Sequence, residues 1–218
     1  MDWEAYAVAQ RARYEDGEAR LPLDADARQK QLVRMAMAAG AVGLARLMQA
    51  LPGEASIWLV RSAERYRESF EGAPPESWGR PVGAVKARLL AGDQAGASED
   101  ARWALAAGAA ESSSPIGRYA GALAQLVLEA DEEAAVTAGS LRSEAPDAFP
   151  APVADALAAL AARDAPGYGE ALAAVLRSFE ERDAYLEDAA VADTVLVLQA
   201  LAAKRGLALP LSSPLLPE

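Results

Sequence analysis

The sequence predicts an all-α protein built of stacked antiparallel helical hairpins, an array of the tetratricopeptide or HEAT kind. Three observations carry that prediction. Three segments align on one template: GAVKARLLAGDQAGASEDARWAL (Gly83–Leu105), GALAQLVLEADEEAAVTAGSLRS (Gly121–Ser143) and ADALAALAARDAPGYGEALAAVL (Ala154–Leu176). Each reads as an Ala/Leu helix, a break at Asp93, Asp131 or Asp164, and a second helix, a recurrence length that marks stacked hairpins. The chain of 218 residues is 52% hydrophobic, and the excess lies in Ala and Leu rather than Val and Ile, which favours helix over sheet. Aromatic residues make up only 6%, so the helices are expected to pack closely through alanine faces. One continuous domain is expected over 1–218, with N-terminal helices in 1–72, hairpin repeats in 76–206 and an apolar, proline-rich tail in 207–218.

The elements follow in order. A first helix is expected from about Asp2 to Asp16, with Trp3, Tyr6, Gln10 and Tyr14 on one side. After a turn at Leu21-Pro22, a second helix starts near Asp24 or Asp26 and runs to about Ala39. Gly40 ends it, or a third helix continues through Leu51. Pro52-Gly53 is read as a stop. The next helix, about Glu54 to Glu71, places Leu59, Ala63, Tyr66 and Phe70 on one stripe and Arg61, Glu64, Arg65 and Glu68 towards the other side. Gly72 through Pro75 is the expected boundary before the repeats. Ser114-Pro115 reads as an N-cap followed by proline at the first helical position. Pro146–Pro152, with three prolines, is expected to be the longest irregular connection. Lys204-Arg205-Gly206 reads as a helix C-terminus, with cations at the negative dipole end and glycine in the left-handed position. The tail either runs extended along the last helices or forms a short strand.

The chain has no Cys and no His. That excludes a thiolate nucleophile, disulfides and Cys/His zinc sites, and removes the commonest general base. Phosphate-loop and nucleophile-elbow motifs are absent: Gly92–Gly96 lacks the phosphate-loop spacing. No enzyme activity, cofactor or metal is expected. The charged N-terminus has no apolar signal core, and the stretch Ala189–Ala203 is too short and too polar to span a bilayer, so a cytoplasmic protein is expected. The net charge of −11 is uneven. Residues 1–80 hold 12 acids and 11 bases, whereas residues 129–193 hold 15 acids and 4 bases. Such a face disfavours nucleic acid and anionic membrane and attracts basic proteins.

The three aligned Asp residues are read as helix caps, because a new helix must start at each and its orphan N–H groups need acceptors. Glu132 and Glu133 suit the same helix dipole. The densest acidic stretch is Phe179–Asp188. On a helix, Glu180, Asp183 and Glu187 share one face, with Glu181 and Asp188 on the next. Paired carboxylates for acid/base chemistry would need burial to separate their pKa values, and nothing resembles an ordered Mg²⁺ or Ca²⁺ loop. That leaves a solvated face or a face that meets a basic partner. Of the tryptophans, Trp58 and Trp103 are expected in the core. Trp78, after Pro-Pro-Glu-Ser, is the expected exposed anchor. Tyr168, Leu172, Val175 or Leu176, and Phe179 form a core stripe. The candidate partner-binding residues are therefore Glu180, Glu181, Asp183, Glu187, Asp188, Glu132, Glu133 and Trp78.

The C-terminal third, PGYGEALAAVLRSFEERDAYLED followed by ADTVLVLQALAAKRGLALPLSSPLLP, resembles the end of the bacterial immunity protein forty-nine family. The residues that carry the resemblance are Tyr168, Ala171 and Leu172, then Tyr185, the apolar helix Val195–Leu201, Gly206, and the close Ser213-Pro214-Leu215-Leu216-Pro217. ESWGRPVGAVKARLLAGD also resembles that family's Trp-containing helix. The resemblance covers about 70 residues. It implies an all-helical cytoplasmic protein that binds and neutralises a cognate protein toxin, with no catalytic residues to carry over. The acidic bias fits a toxin with a basic groove, such as one directed at nucleic acid. The alternatives are a helical-repeat adaptor that holds a peptide, and an enzyme with a carboxylate-bound metal.

Overall fold

A computed structural model describes residues 1–144 and 148–218. Ten α-helices are present among them: α1 (Trp3–Ala19), α2 (Ala25–Met48), α3 (Pro52–Phe70), α4 (Gly79–Leu90), α5 (Gln94–Ala106), α6 (Pro115–Val127), α7 (Asp131–Arg142), α8 (Ala151–Ala162), α9 (Ala165–Glu180) and α10 (Asp193–Lys204), with one 3₁₀ turn at Leu186–Asp188. No strand occurs among the described residues, so the all-α expectation holds, and the tail forms no strand. The chain divides into two compact units. The first comprises 1–94, 183–191 and 212–218; the second comprises 95–182 and 192–211.

In the first unit α1 packs on α2, α2 on α3, and α3 on α4. Asp2 and Asp24 cap α1 and α2 by accepting from Ala5 N at 3.0 Å and Ala27 N at 2.9 Å. Helix α2 does not end at Gly40. It runs unbroken to Met48, because Gly40 and Gly43 allow α3 to approach: a Cβ on Gly43 would lie 2.5 Å from Leu59 Cγ. The Ser62 hydroxyl, fully buried in the same contact, donates to the Ala36 carbonyl at 2.8 Å. Pro52 does not merely stop a helix. It occupies the first turn of α3, where a missing N–H costs nothing. Gly72 through Pro75 lies within this unit, between α3 and α4, which pack together.

In the second unit α8 is the hub, packing against α6, α7, α9 and α10. Alanine and leucine dominate its core; Leu123, Leu126, Leu157, Leu160, Leu172 and Leu201 are each fully buried. The expected stripe on α9 is core: Tyr168, Leu172, Val175, Leu176 and Phe179 are all buried. Ser114 and Pro115 begin α6 as read from sequence. Of the expected irregular connection, Pro146 lies outside the described residues, and Pro150 already caps α8, which includes Pro152. A longer irregular connection runs from 181 to 192, relieved only by the 3₁₀ turn.

One turn chemistry recurs in both units. Residues Ala50, Gly92, Gly108, Glu129, Arg163 and Gly206 all have positive φ. In each case the next N–H reaches back five residues: Leu51 to Arg46 O, Asp93 to Arg88 O, Ala109 to Ala104 O, Ala130 to Gln125 O, Asp164 to Ala159 O and Leu207 to Ala202 O. This is the Schellman closure, which satisfies carbonyls that the helix end leaves open. The expected terminus at Lys204-Arg205-Gly206 is one of the six.

Candidate surface of the second unit

The recurring turns explain what the three aligned aspartates do. After the left-handed residue, Asp93 and Asp164 come next, each immediately before its helix. Asp164 accepts from Gly167 N at 3.1 Å and is a true N-cap. Asp93 takes Arg88 Nη1 at 2.8 Å. In the middle hairpin one extra residue, Ala130, stands in the capping position. Asp131 is thereby displaced into the first turn of α7, and the capping expectation for it fails. Its carboxylate instead meets two guanidinium groups: Arg163 at 3.2 Å, and Arg205, whose side chain is only 1% exposed. Arg205 also donates to the Leu201 carbonyl at 3.2 Å and the Leu126 carbonyl at 2.8 Å, at the C-terminal ends of α10 and α6. Cation and helix dipoles therefore reinforce the pair.

The same inter-turn contact orients the acidic residues. Arg163, at the α8–α9 turn, touches the start of α7. Helix α9 then runs away from that end for 16 residues, a span of about 24 Å at 1.5 Å per residue. Glu132 and Glu133 therefore lie at one end of the α7–α9 stack, and Glu180 and Glu181 at the other. The two pairs are therefore separate patches.

The expected helical face of Glu180, Asp183 and Glu187 does not form, because α9 ends at Glu180. The Glu181 N–H closes the helix on the Arg177 carbonyl at 3.0 Å, and the Arg182 guanidinium folds over the Phe179 ring, 3.7 Å from its centroid. Asp183, Glu187 and Asp188 belong to the first unit. There Glu187 is spent internally: its carboxylate pairs with Arg13 at 2.5 Å, and its carbonyl accepts from the Tyr6 hydroxyl at 2.5 Å. These contacts hold Glu187 and Asp188 at φ of 53° and 57°. Burial, reinforced by the charges of Glu187 and Asp188, pushes the Tyr6 phenol up to about 12. Asp183 and Asp188 remain exposed.

Of the tryptophans, Trp78 reverses the expectation, whereas Trp58 packs against the core as expected. Trp78 is buried, 8% exposed, with no hydrogen-bond partner for its indole N–H, and it is not a surface anchor. Trp58 and Trp103 are only partly buried. Trp58 carries the Arg61 guanidinium over its ring at 4.6 Å and the Tyr14 ring edge-on at 5.5 Å.

Exposed carboxylates without an ion pair among the described residues occur in both units, Glu64, Glu71, Glu76, Asp183 and Asp188 in the first, but the excess of acids over bases is larger in the second, 15 to 8 against 17 to 13. Glu129, Glu132, Glu133, Glu170 and Glu181 are exposed and make no ion pair among the described residues. Of the cations in this unit, Arg118 pairs with Glu144, Arg142 with Asp155, and Arg163 and Arg205 with Asp131, whereas Arg102, Arg177, Arg182 and Lys204 are exposed and make no ion pair among the described residues. On α7, Val136 is 77% exposed beside Glu132 and Glu133, at helical steps of four and three.

Between α8 and α9 lies an open groove of about 420 Å³. Its floor is Ala158, Ala162, Gly167, Ala171 and Ala174, and its rim carries Asp155, Asp164, Glu170 and Arg142. On each helix these positions recur at steps of three, four and seven, the two facing stripes of a hairpin. Nothing in the sequence reading found the groove, yet its signal is there: small residues at every facing position, bracketed by acids. Sequence reasoning also missed the Gln199 clamp. That side chain accepts from the Tyr168 hydroxyl at 3.0 Å and from Leu209 N at 3.2 Å, and donates to the Leu209 carbonyl, pinning the tail.

Among the described residues, no group of three or more acidic side chains is arranged to hold a metal ion, and no helix is long and apolar enough to cross a membrane. No protein-family model matches the chain, and no curated protein or solved structure is significantly similar to it.

Proposed function

We propose that this protein is an immunity protein, which binds a basic protein toxin and occludes its working surface. The observation that supports binding is the unbalanced charge of the second unit. It holds 15 acids against 8 bases, and Glu129, Glu132, Glu133, Glu170 and Glu181 stay exposed and unpaired among the described residues. An excess of one sign on a rigid helical scaffold speeds encounter with the opposite sign and sets orientation, whereas apolar contacts such as Val136 govern release. The resemblance of the C-terminal third to immunity proteins is what narrows the partner from any basic protein to a toxin. No step of this role requires a catalytic residue.

The test has two parts. A tagged copy is recovered from its own cells, and the co-purifying proteins are identified. A single stoichiometric partner, lethal when expressed alone and harmless beside this protein, is the expected result. Several substoichiometric, harmless partners would instead mark an adaptor. With the partner in hand, association is followed by stopped flow for the pairs Glu132→Lys/Glu133→Lys and Glu180→Lys/Glu181→Lys. Because the two pairs lie at opposite ends of the stack, the pair facing the toxin slows association at least tenfold and lowers its salt dependence, and the other changes it by less than about threefold. Unchanged rates in both would sink the electrostatic reading.

A further inference from the structure

We infer that the α8–α9 groove seats an arginine-bearing helix of the partner protein. This rests on the reading that the partner is a basic protein, and it names the place and the complementary element. The groove floor is unusually shallow in side chains: Ala158, Ala162, Gly167, Ala171 and Ala174 bring nothing longer than a methyl group. A helix backbone, or the aliphatic stem of a long side chain, can therefore approach closely over a continuous apolar strip. The rim supplies the charge that such a stem ends in. Glu170 is exposed and makes no ion pair among the described residues. Among the described residues Asp155 is held only by Arg142, through Nε at 2.7 Å, with the Arg142 side chain 58% and the Asp155 side chain 45% exposed. So exposed a pair stabilises little and exchanges readily. Arg142 thus shows what the rim accepts: a guanidinium laid against Asp155 at the edge of the alanine floor. A partner arginine, entering from above, has Glu170 free on one side and Asp155 exchangeable on the other. The fork of five N–H donors suits arginine better than lysine for bridging two carboxylates.

The facing stripes repeat at helical steps, so the ligand matches them best as a helix with arginines one turn apart. An Ala-rich helical peptide of about five turns, with arginine at every fourth position, serves as the probe; versions with glutamate or lysine at the same positions are its controls. Binding is read by fluorescence anisotropy at low and at half-molar salt, and folding of every variant is checked by circular dichroism. The arginine peptide is expected to bind the wild-type protein, the lysine peptide more weakly, and the glutamate peptide not at all. Ala158→Trp fills the groove and Glu170→Lys reverses its rim; Ala158 is partly buried and Glu170 exposed, and each substitution is expected to weaken the arginine peptide at least tenfold. Glu132→Lys/Glu133→Lys lies outside the groove, and its effect is expected to disappear at high salt while that of Ala158→Trp persists. Failure of the arginine peptide to bind, or equal binding to wild type and Ala158→Trp, overturns the inference. The same variants, tested against the recovered partner, separate the two ideas. If acidic reversals elsewhere slow the partner and Ala158→Trp does not, the toxin reading stands and the groove falls. If no acidic reversal matters, both fall.

Discussion

The two units hold their helices together by different means. In the first, ion pairs reach across helices. Arg65 donates to the Tyr14 hydroxyl at 3.1 Å, to Glu68 at 2.7 Å and to Glu18 at 2.7 Å; Arg28 reaches the same Glu68 at 2.8 Å; Arg46 pairs with Glu4 and, at 3.2 Å, with Glu54. Aromatic rings with cations over them sit within this lattice. In the second unit, alanine and leucine faces do the holding, and few cations are present to answer the acids. The difference teaches where net charge becomes available. In the first unit 17 acids face 13 bases, and the ion pairs that join its helices take up much of that charge. In the second only 8 bases face 15 acids, so the excess of negative charge is larger there.

The sharpest way to break that comparison is at a buried ion pair of the second unit. Asp131→Ala leaves the Arg205 side chain, 1% exposed, without its counter-ion, and is expected to cost about 3 kcal/mol of unfolding free energy. Asp164→Ala, at the corresponding point of the next hairpin, removes only a cap and is expected to cost about 1 kcal/mol. Urea denaturation measures both; equal costs would show that Asp131 acts as a cap after all. Replacing the pair together, as Asp131→Leu with Arg205→Met, is expected to recover most of the loss, because a buried pair contributes little over apolar packing.

Close packing through small residues can be tested next. A Cβ on Gly121 would lie 2.6 Å from the Ala110 Cα, which is backbone and cannot rotate away. Gly121→Ala is therefore expected to cost about 2 kcal/mol. In the first unit the corresponding clash at Gly43 is with the Leu59 side chain, at 2.5 Å, which can change rotamer, so Gly43→Ala should cost less. A larger loss at Gly43 would mean that the first unit is the more tightly packed of the two.

Alkaline titration sharpens the comparison on the first unit. The folded state raises Tyr6 from its ordinary 10 to about 12. A raised pKa favours the protonated phenol in the folded state, so its contribution is intact below pH 10 and is lost as pH climbs from 10 through 12. Tyr6→Phe starts less stable, having lost the 2.5 Å bond to the Glu187 carbonyl, but is expected to fall less steeply over that interval. Parallel pH profiles for the two proteins would show that Tyr6 ionises freely.

How much of this was legible in the sequence follows from the range of each interaction. The hairpins were, because alanine and leucine at helical spacing and a break every thirty-odd residues are local signals; Ser114-Pro115 and the Gly206 terminus were legible for the same reason. The role of Asp131 was not, since one extra residue, Ala130, moved it from the cap into the first turn, and its partners Arg163 and Arg205 lie far along the chain. The place of Glu187 was not legible either, because the helical period ends with α9 at Glu180 and Glu187 instead meets Arg13 and Tyr6, far back along the chain. Trp78 was misjudged from its polar neighbours, although a bulky ring at a helix entry is as easily buried. Local chemistry fixed the turns; the surface had to wait for the tertiary contacts that decide which charges are spent.

The smallest effect isolates helix propensity from packing. Gly139 lies in the interior of α7, on its exposed side, and a Cβ there would meet nothing within 4 Å. Alanine costs less backbone entropy than glycine in a helix, so Gly139→Ala is expected to stabilise by about 0.5–1 kcal/mol. The substitution adds one methyl group to the same outward surface that carries Val136 and Glu133. If that surface meets the partner, the stabilised variant should bind it more weakly despite folding better. A gain in stability with unchanged affinity would place the partner elsewhere, on the α8–α9 side of the second unit.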